Sequence, residues 1–181
     1  MSFAVDLEYS ESQVLFDYWS EIYTKAFGEH TATAITGPNS QRDGLDRVIV
    51  LPNQRQILID EKAIRKHHTI EHEGEMQDRL WIEEYSVYEK KVLGWGLKPL
   101  RADYIAYGFP TARRCHLLPV IQLQAAFKTH GRDWFNRGWR ALTALGMNDG
   151  YRTSGYKVPM NVLRKAIGEA MTIQLETLNN V

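Results

Sequence analysis

The segment from Gly44 to Lys62 constrains this chain more than any other. It holds two runs rich in β-branched residues, Val48–Leu51 and Ile57–Ile59, split by Pro52-Asn53, which is a hairpin signal. Both runs are apolar at consecutive positions, so both faces of each strand must be covered. Strands of that kind sit inside a sheet flanked by helices rather than at its edge. Yet ionisable residues stand at the ends of this apolar hairpin: Asp46 before the first run, and Asp60, Glu61 and Lys62 after the second. Side chains at i and i+2 share a strand face, so Asp60 and Lys62 project together, with Leu58 further along. Folding back about Pro52-Asn53 brings Asp46 toward them. The register stays open, because the turn type is not fixed by the sequence.

That combination suits metal-assisted phosphodiester hydrolysis. The reaction needs a strong nucleophile made from water and positive charge to absorb what builds on phosphorus and on the leaving oxygen. Mg²⁺ prefers oxygen ligands, and takes one or two protein carboxylates with waters and phosphate. The expectation is that Asp46 and Asp60 bind Mg²⁺, or Mn²⁺ in its place. The backbone carbonyl of Glu61 completes the shell, and Lys62 orients the water or stabilises the developing charge. The competing expectation is that these are solvated strand ends joined by surface ion pairs, which contribute little.

The stretch resembles the PD-(D/E)xK nuclease superfamily, with Asp46, then the hydrophobic hairpin, then Asp60-Glu61-Lys62 as the (D/E)-x-K element. Leu45 precedes the first acid where the name motif has proline. The chain is also similar to a group of small phage and bacterial proteins that carry Gly-Leu-Asp-Arg-Val followed by Ile-Asp-Glu-Lys, here at 44–48 and 59–62. In that group an acid precedes Tyr-Ser in the next strand, matching Glu84-Tyr85-Ser86. Further segments match Ala102–Tyr107 and Leu117–Leu123, so the resemblance covers most of residues 42–170. It implies a restriction-endonuclease-like core, an α/β (α+β) domain with a central mixed sheet flanked by helices. It also implies a Mg²⁺-dependent nuclease acting on DNA, with a homodimer or a host or phage protein among its partners. The alternative is a catalytically silent nuclease fold kept for binding or inhibition.

The rest of the chain is read to fit that core. Val14, Leu15, Tyr18, Trp19, Ile22, Tyr23 and Ala26 recur at helical spacing and predict a helix over 11–27, capped by Ser10 or Ser12 and ended by Gly28. Residues 30–44 read as a loop with a short strand at Ala32–Thr36, and the polar 65–79 as a loop lying over the mouth of the site. Strands are expected at Leu80–Tyr88, Tyr104–Phe109, Cys115–Leu118 and Tyr151–Val158. Helices are expected from Pro119 to Lys128, over Trp134–Leu145, and from Pro159 through Met171. All are placed around one sheet in a single domain spanning 1–181.

Secondary candidates follow from chemistry. Glu84 is a third catalytic acid if its strand lies beside the hairpin, and Asp17 or Glu21 on the first helix is another. Residues 101–140 carry seven Lys or Arg against Asp103 and Asp133, although the formal net charge of the chain is zero. Within that stretch Arg113, Arg114, Gln122 and Lys128 are candidate phosphate contacts. Trp134 and Trp139, interleaved with Arg132, Arg137 and Arg140, are candidate stacking groups, or simply core. His67, His68 and His72 match no zinc spacing. Cys115 is the only cysteine, so no internal disulfide forms and a buried thiol is expected. No secretory leader or apolar span is evident, and a cytoplasmic setting is expected.

Overall fold

The computed structural model describes residues 13–35, 43–143, 150–168 and 170–176. The fold is α+β, with α1 (Gln13–Phe27), α2 (Val120–Asn136) and α3 (Met160–Ile167) as helices among the described residues. The chain divides into two compact units, one built from 1–67, 101–118 and 171–181, the other from 68–100 and 119–170. Where one mixed sheet was expected, there are two sheets.

The first unit holds a six-stranded sheet. Its strands are β1 (Thr31–Ala34), β2 (Arg47–Val50), β3 (Gln56–Ala63), β7 (Tyr104–Phe109), β8 (Arg114–Pro119) and β11 (Met171–Gln174), in the order β1-β2-β3-β7-β8-β11. The β2–β3 hairpin is antiparallel, with Arg47 opposite Ile59 and Val50 opposite Gln56. Its connection is closed by Gln54 N–H donating to Leu51 O at 2.9 Å, with Gln54 left-handed at φ 65°. β3 then pairs with β7 in parallel, Asp60 opposite Ile105. Asp103 fixes that start, since its carboxylate accepts from Leu58 N–H at 2.8 Å while its own N–H donates to Leu58 O. Both hairpin strands are interior to the sheet, as their two-sided apolar pattern requires.

Helix α1 covers one face of this sheet. Leu15, Tyr18, Trp19, Ile22 and Tyr23 form its buried stripe and meet Ile49, Ile57, Ile59, Ala106, Cys115, Leu117 and Ile173. The stripe follows the i, i+3, i+4 spacing read from the sequence. Gly28 ends the helix in the left-handed region at φ 69°, its N–H donating to Thr24 O. Tyr18 donates its hydroxyl to Arg114 O at 2.6 Å, and Cys115 is a buried free thiol. The helix residues expected at 11 and 12, with the capping serine, lie outside the described residues, as does Thr36 at the end of the first expected strand.

The second unit holds an antiparallel sheet, β4 (Thr69–His72), β5 (Glu75–Val87), β10 (Ser154–Pro159) and β9 (Arg140–Leu142) in that order, with β6 (Val92–Leu93) pairing β5. The polar stretch at 65–79, expected to be a loop, is instead largely the β4–β5 hairpin. Its exposed residues Glu71, Glu73 and Glu75 carry much of the charge, while Asp78 and Leu80 are buried, so polarity here reflects a wet face, not absent structure. The helix expected over Trp134–Leu145 is also corrected. α2 runs on to Asn136, Gly138 takes φ 73°, and Arg140–Leu142 is a strand, while residues 144 and 145 lie outside the described residues. The last helix ends at Ile167, because Gly168 at φ 76° stops it, and Met171 opens β11. Phe127, Trp134 and Tyr156 meet edge-on between α2 and β10, with Phe127 and Tyr156 centroids 5.1 Å apart. Among the described residues no helix is long and apolar enough to cross a membrane.

Gly108 shows how closely α1 seats. A Cβ there would stand 2.7 Å from both the Trp19 ring and the Tyr18 hydroxyl oxygen. Gly108→Ala is expected to lower stability by roughly 1–3 kcal/mol by overpacking, read as a lower urea midpoint with an unchanged slope.

Candidate functional site

The β2–β3 hairpin decides which side chains meet. On β3, Ile57, Ile59 and Glu61 face α1, so Leu58, Asp60 and Lys62 face away from it. Asp46 precedes β2, and its backbone is held on both sides: its N–H donates to Ile59 O, and its carbonyl accepts from Ile35 N–H. Its carboxylate Oδ2 accepts from Glu61 N–H at 2.7 Å. That bond sets Asp46 against the start of the Asp60-Glu61-Lys62 element.

Asp60 is buried, at 1% exposure. Its Oδ1 accepts from Lys62 Nζ at 2.5 Å, while its Oδ2 is buried with no hydrogen-bond partner. The neighbouring Asp46 carboxyl is pushed up to about 6. Burial is the main cause, followed by the adjoining Asp60 carboxylate; Lys62 and the Glu61 N–H pull the other way. Two carboxylates thus share a partly desolvated space with one ammonium group. A proton on Asp46 or an added cation relieves the repulsion.

Glu61 turns its own carboxylate to the opposite face. There Oε1 accepts from the Tyr23 hydroxyl at 2.6 Å and from Arg47 Nε at 2.5 Å, and Oε2 accepts from Arg47 Nη2 at 3.2 Å. The Arg47 guanidinium also lies 5.7 Å from the centre of the Tyr23 ring. Burial, and then the Glu61 charge, raise the Tyr23 phenol well above its ordinary range, so it stays a neutral donor. Glu61 therefore has only its backbone carbonyl to offer at the Asp46–Asp60 site. Its N–H and C=O point toward the same edge of an extended strand, and the N–H already meets Asp46.

These groups fit a hard divalent cation such as Mg²⁺ or Mn²⁺. The donors are all oxygen, two of them carboxylates, and one buried carboxylate oxygen lacks a partner. Among the described residues no group of three or more His, Cys, Asp or Glu side chains is arranged to hold a metal, so the remaining positions would fall to water and phosphate.

The other sequence candidates have partners or positions of their own. Glu84 lies on β5, in the antiparallel sheet, and not on a strand beside the hairpin. Its Oε2 accepts from Arg140 at 2.8–2.9 Å and from Ser154 Oγ at 3.0 Å, a structural ion pair between β5, β9 and β10. Glu21 is paired with Arg113 at 2.5 Å, and Asp17 accepts from Gln13. Arg114 donates to Gln174 at 2.6 Å. Gln122 and Lys128 are exposed on α2. Trp134 is core, whereas Trp139 is half-buried with Arg137 over its ring at 5.4 Å. Sequence reading missed the Tyr23–Glu61–Arg47 network. A signal existed, because an arginine and a glutamate flanking an apolar hairpin on its helix-covered face need partners.

Comparison with family models, with curated proteins and with solved structures finds no match. The functional reading therefore rests on the site itself.

Two outcomes are expected. The Asp46 carboxyl is raised from 3.8 to about 6, so in metal-free protein its contribution to stability is fully present below pH 3.8 and is lost as pH rises through about 6. Asp46→Asn should remove that loss and flatten the pH profile of urea unfolding between those values. Glu61→Ala strands Arg47, whose side chain is only 10% exposed, and should cost about 3 kcal/mol in the same assay.

Proposed function

We propose that the chain is a divalent-metal-dependent phosphodiester hydrolase, a nuclease acting on DNA. The observation that carries this reading is the meeting of Asp46 and Asp60 beside Lys62, with Asp60 Oδ2 buried and unpartnered. Like-charged carboxylates held together cost stability, and a cation is the ligand that offsets the cost. The expected PD-(D/E)xK resemblance assigns the same three residues to metal and charge stabilisation, within a restriction-endonuclease-like core.

The Asp46 and Asp60 carboxylates, with the Glu61 carbonyl, would hold the metal. When bound, Mg²⁺ supplies an acidified water and positive charge against phosphate oxygens. Lys62, paired with Asp60, would orient the attacking water and stabilise charge building on the phosphate. The Asp46–Glu61 N–H bond keeps the first acid from swinging away.

A second reading draws on the Lys62–Asp60 ion pair, which neutralises one carboxylate without a metal. On that reading the nuclease-like fold serves binding alone.

The test is calorimetric titration of Mn²⁺ into wild type, Asp60→Asn and Lys62→Ala, with plasmid and single-strand cleavage followed on the same samples. The expected result is metal binding in wild type that is lost in Asp60→Asn. Cleavage should fall by on the order of 100-fold or more in both variants. Cleavage that persists in both variants would sink the nuclease centre. A wild type that neither binds Mn²⁺ nor cuts would leave the binding reading.

A further inference from the structure

The second unit contains a cavity of about 260 Å³ that the hairpin site does not use. It lies against the turn between β4 and β5, the second half of α2, and α3. Its lining includes His72, Glu73, His130, Trp134, Arg137 and Lys165. Trp134, Val162 and Ala166 give it an apolar wall, and the basic side chains give it a polar rim.

The rim carries two carboxylates, Glu73 and Asp133, and its cations converge on Glu73. Glu73 Oε2 accepts from Lys165 Nζ at 3.1 Å, and His72 Nδ1 stands 4.0 Å from the same oxygen. Hydrogen bonding and charge from Lys165, with the charges of His72 and Arg137, hold the Glu73 carboxyl below its ordinary range. The fit is incomplete, because His72 Nδ1 is buried and has no hydrogen-bond partner. A buried polar atom left unpaired costs free energy.

Glu73 is also poorly anchored. It is the first residue of the two-residue turn Glu73-Gly74, both left-handed at φ 55° and 79°, and its side chain is 59% exposed. With Glu73 in place, Lys165 and Arg137 are balanced by Glu73 and Asp133. With Glu73 turned out to solvent, positive charge is in excess. A carboxylate has two oxygens and reaches Lys165 but not His72. A phosphoryl group has three terminal oxygens, enough for Lys165, His72 and Arg137 at once. The volume matches roughly nine waters at about 30 Å³ each, room for a phosphoryl group with one small organic moiety and too small for a duplex.

We propose that this cavity binds a phosphate monoester of mononucleotide size, and that Glu73 is an internal carboxylate occupying the phosphate position until the ligand displaces it. The proposal is carried by residues of the second unit alone and does not depend on the Asp46–Asp60 reading.

The experiment is calorimetric titration of adenosine 5′-monophosphate, adenosine and inorganic phosphate into the full chain and into Glu73→Gln, Lys165→Gln and Arg137→Gln. All three side chains are on the rim, and near-UV circular dichroism checks that each variant keeps its tertiary packing. The monophosphate should bind wild type while adenosine does not. Glu73→Gln should bind it about tenfold tighter, and Lys165→Gln and Arg137→Gln about tenfold weaker, for charges a few ångströms from the phosphate. The opposite signs are the signature, since a purely structural Glu73–Lys165 pair gives the same result for loss of either partner. An unchanged or weaker affinity in Glu73→Gln overturns the displacement. Equal binding of adenosine overturns the phosphate site, and inorganic phosphate binding as tightly as the monophosphate overturns the organic ligand.

Discussion

The buried contact among Arg47, Glu61 and Tyr23 is the constraint on which the candidate site depends. It ties the first strand of the hairpin, the second strand and helix α1 together on one face of the sheet. Its effect is on register. Side chains alternate along β3, so a slip by one residue would turn Asp60 into the helix-covered core and Glu61 outward. Glu61 finds a guanidinium and a phenol on the α1 side, and Asp60 would find neither as well placed. The network therefore fixes which acid of Asp60-Glu61-Lys62 faces away from the helix. A buried ion pair contributes little net stability compared with apolar packing, but an unpaired Arg47 or Glu61 is costly, so the wrong register is penalised more than the right one is rewarded.

On the opposite face of β3 the balance runs the other way. Asp46 and Asp60 are held together by backbone geometry that neither carboxylate controls: Asp46 by its backbone bonds to Ile59 and Ile35, Asp60 by its pairing with Ile105 of β7. Lys62 compensates one of the two negative charges. The result is a residual negative charge in a partly buried space; burial first, and then the neighbouring Asp60, raise the Asp46 carboxyl. Local frustration of this kind, in a sheet otherwise consistent at every level, is where function is to be sought.

The antiparallel unit uses its charges differently. Arg140 is paired with Glu84, and Arg152 with Glu89 at 2.7 Å. Both guanidinium groups lie 5.4 Å from the centre of the Tyr88 ring, and Lys91 lies 3.7 Å from it. These contacts cross from β5 and its turn to β9 and to the segment that precedes β10. Basic and aromatic residues interleaved in sequence thus become partners of one another before they are available to anything else. The rim around Glu73 differs, because there the carboxylate leaves His72 unsatisfied.

Much of this was legible in the sequence. The α1 stripe, the two-sided apolar hairpin and strand Tyr104–Phe109 follow from local periodicity and turn chemistry, which tertiary context did not need to override. The i, i+2 relation of Asp60 and Lys62 follows from the pleat alone, and so did their common direction. What the sequence could not determine was sheet membership. Leu80–Tyr88 reads equally well as a strand in either sheet, and only its pairing with β10 puts Glu84 in the antiparallel sheet. The same holds for the polar β4 strand and for short β9, where long-range pairing replaced a helical pattern, and for Glu61, whose partner Tyr23 lies 38 residues earlier. Residue chemistry and strand period are local and can be read along the chain. Which strands pair, and therefore which charges meet, is set by non-local hydrogen bonds and burial that exist only in the folded sheet.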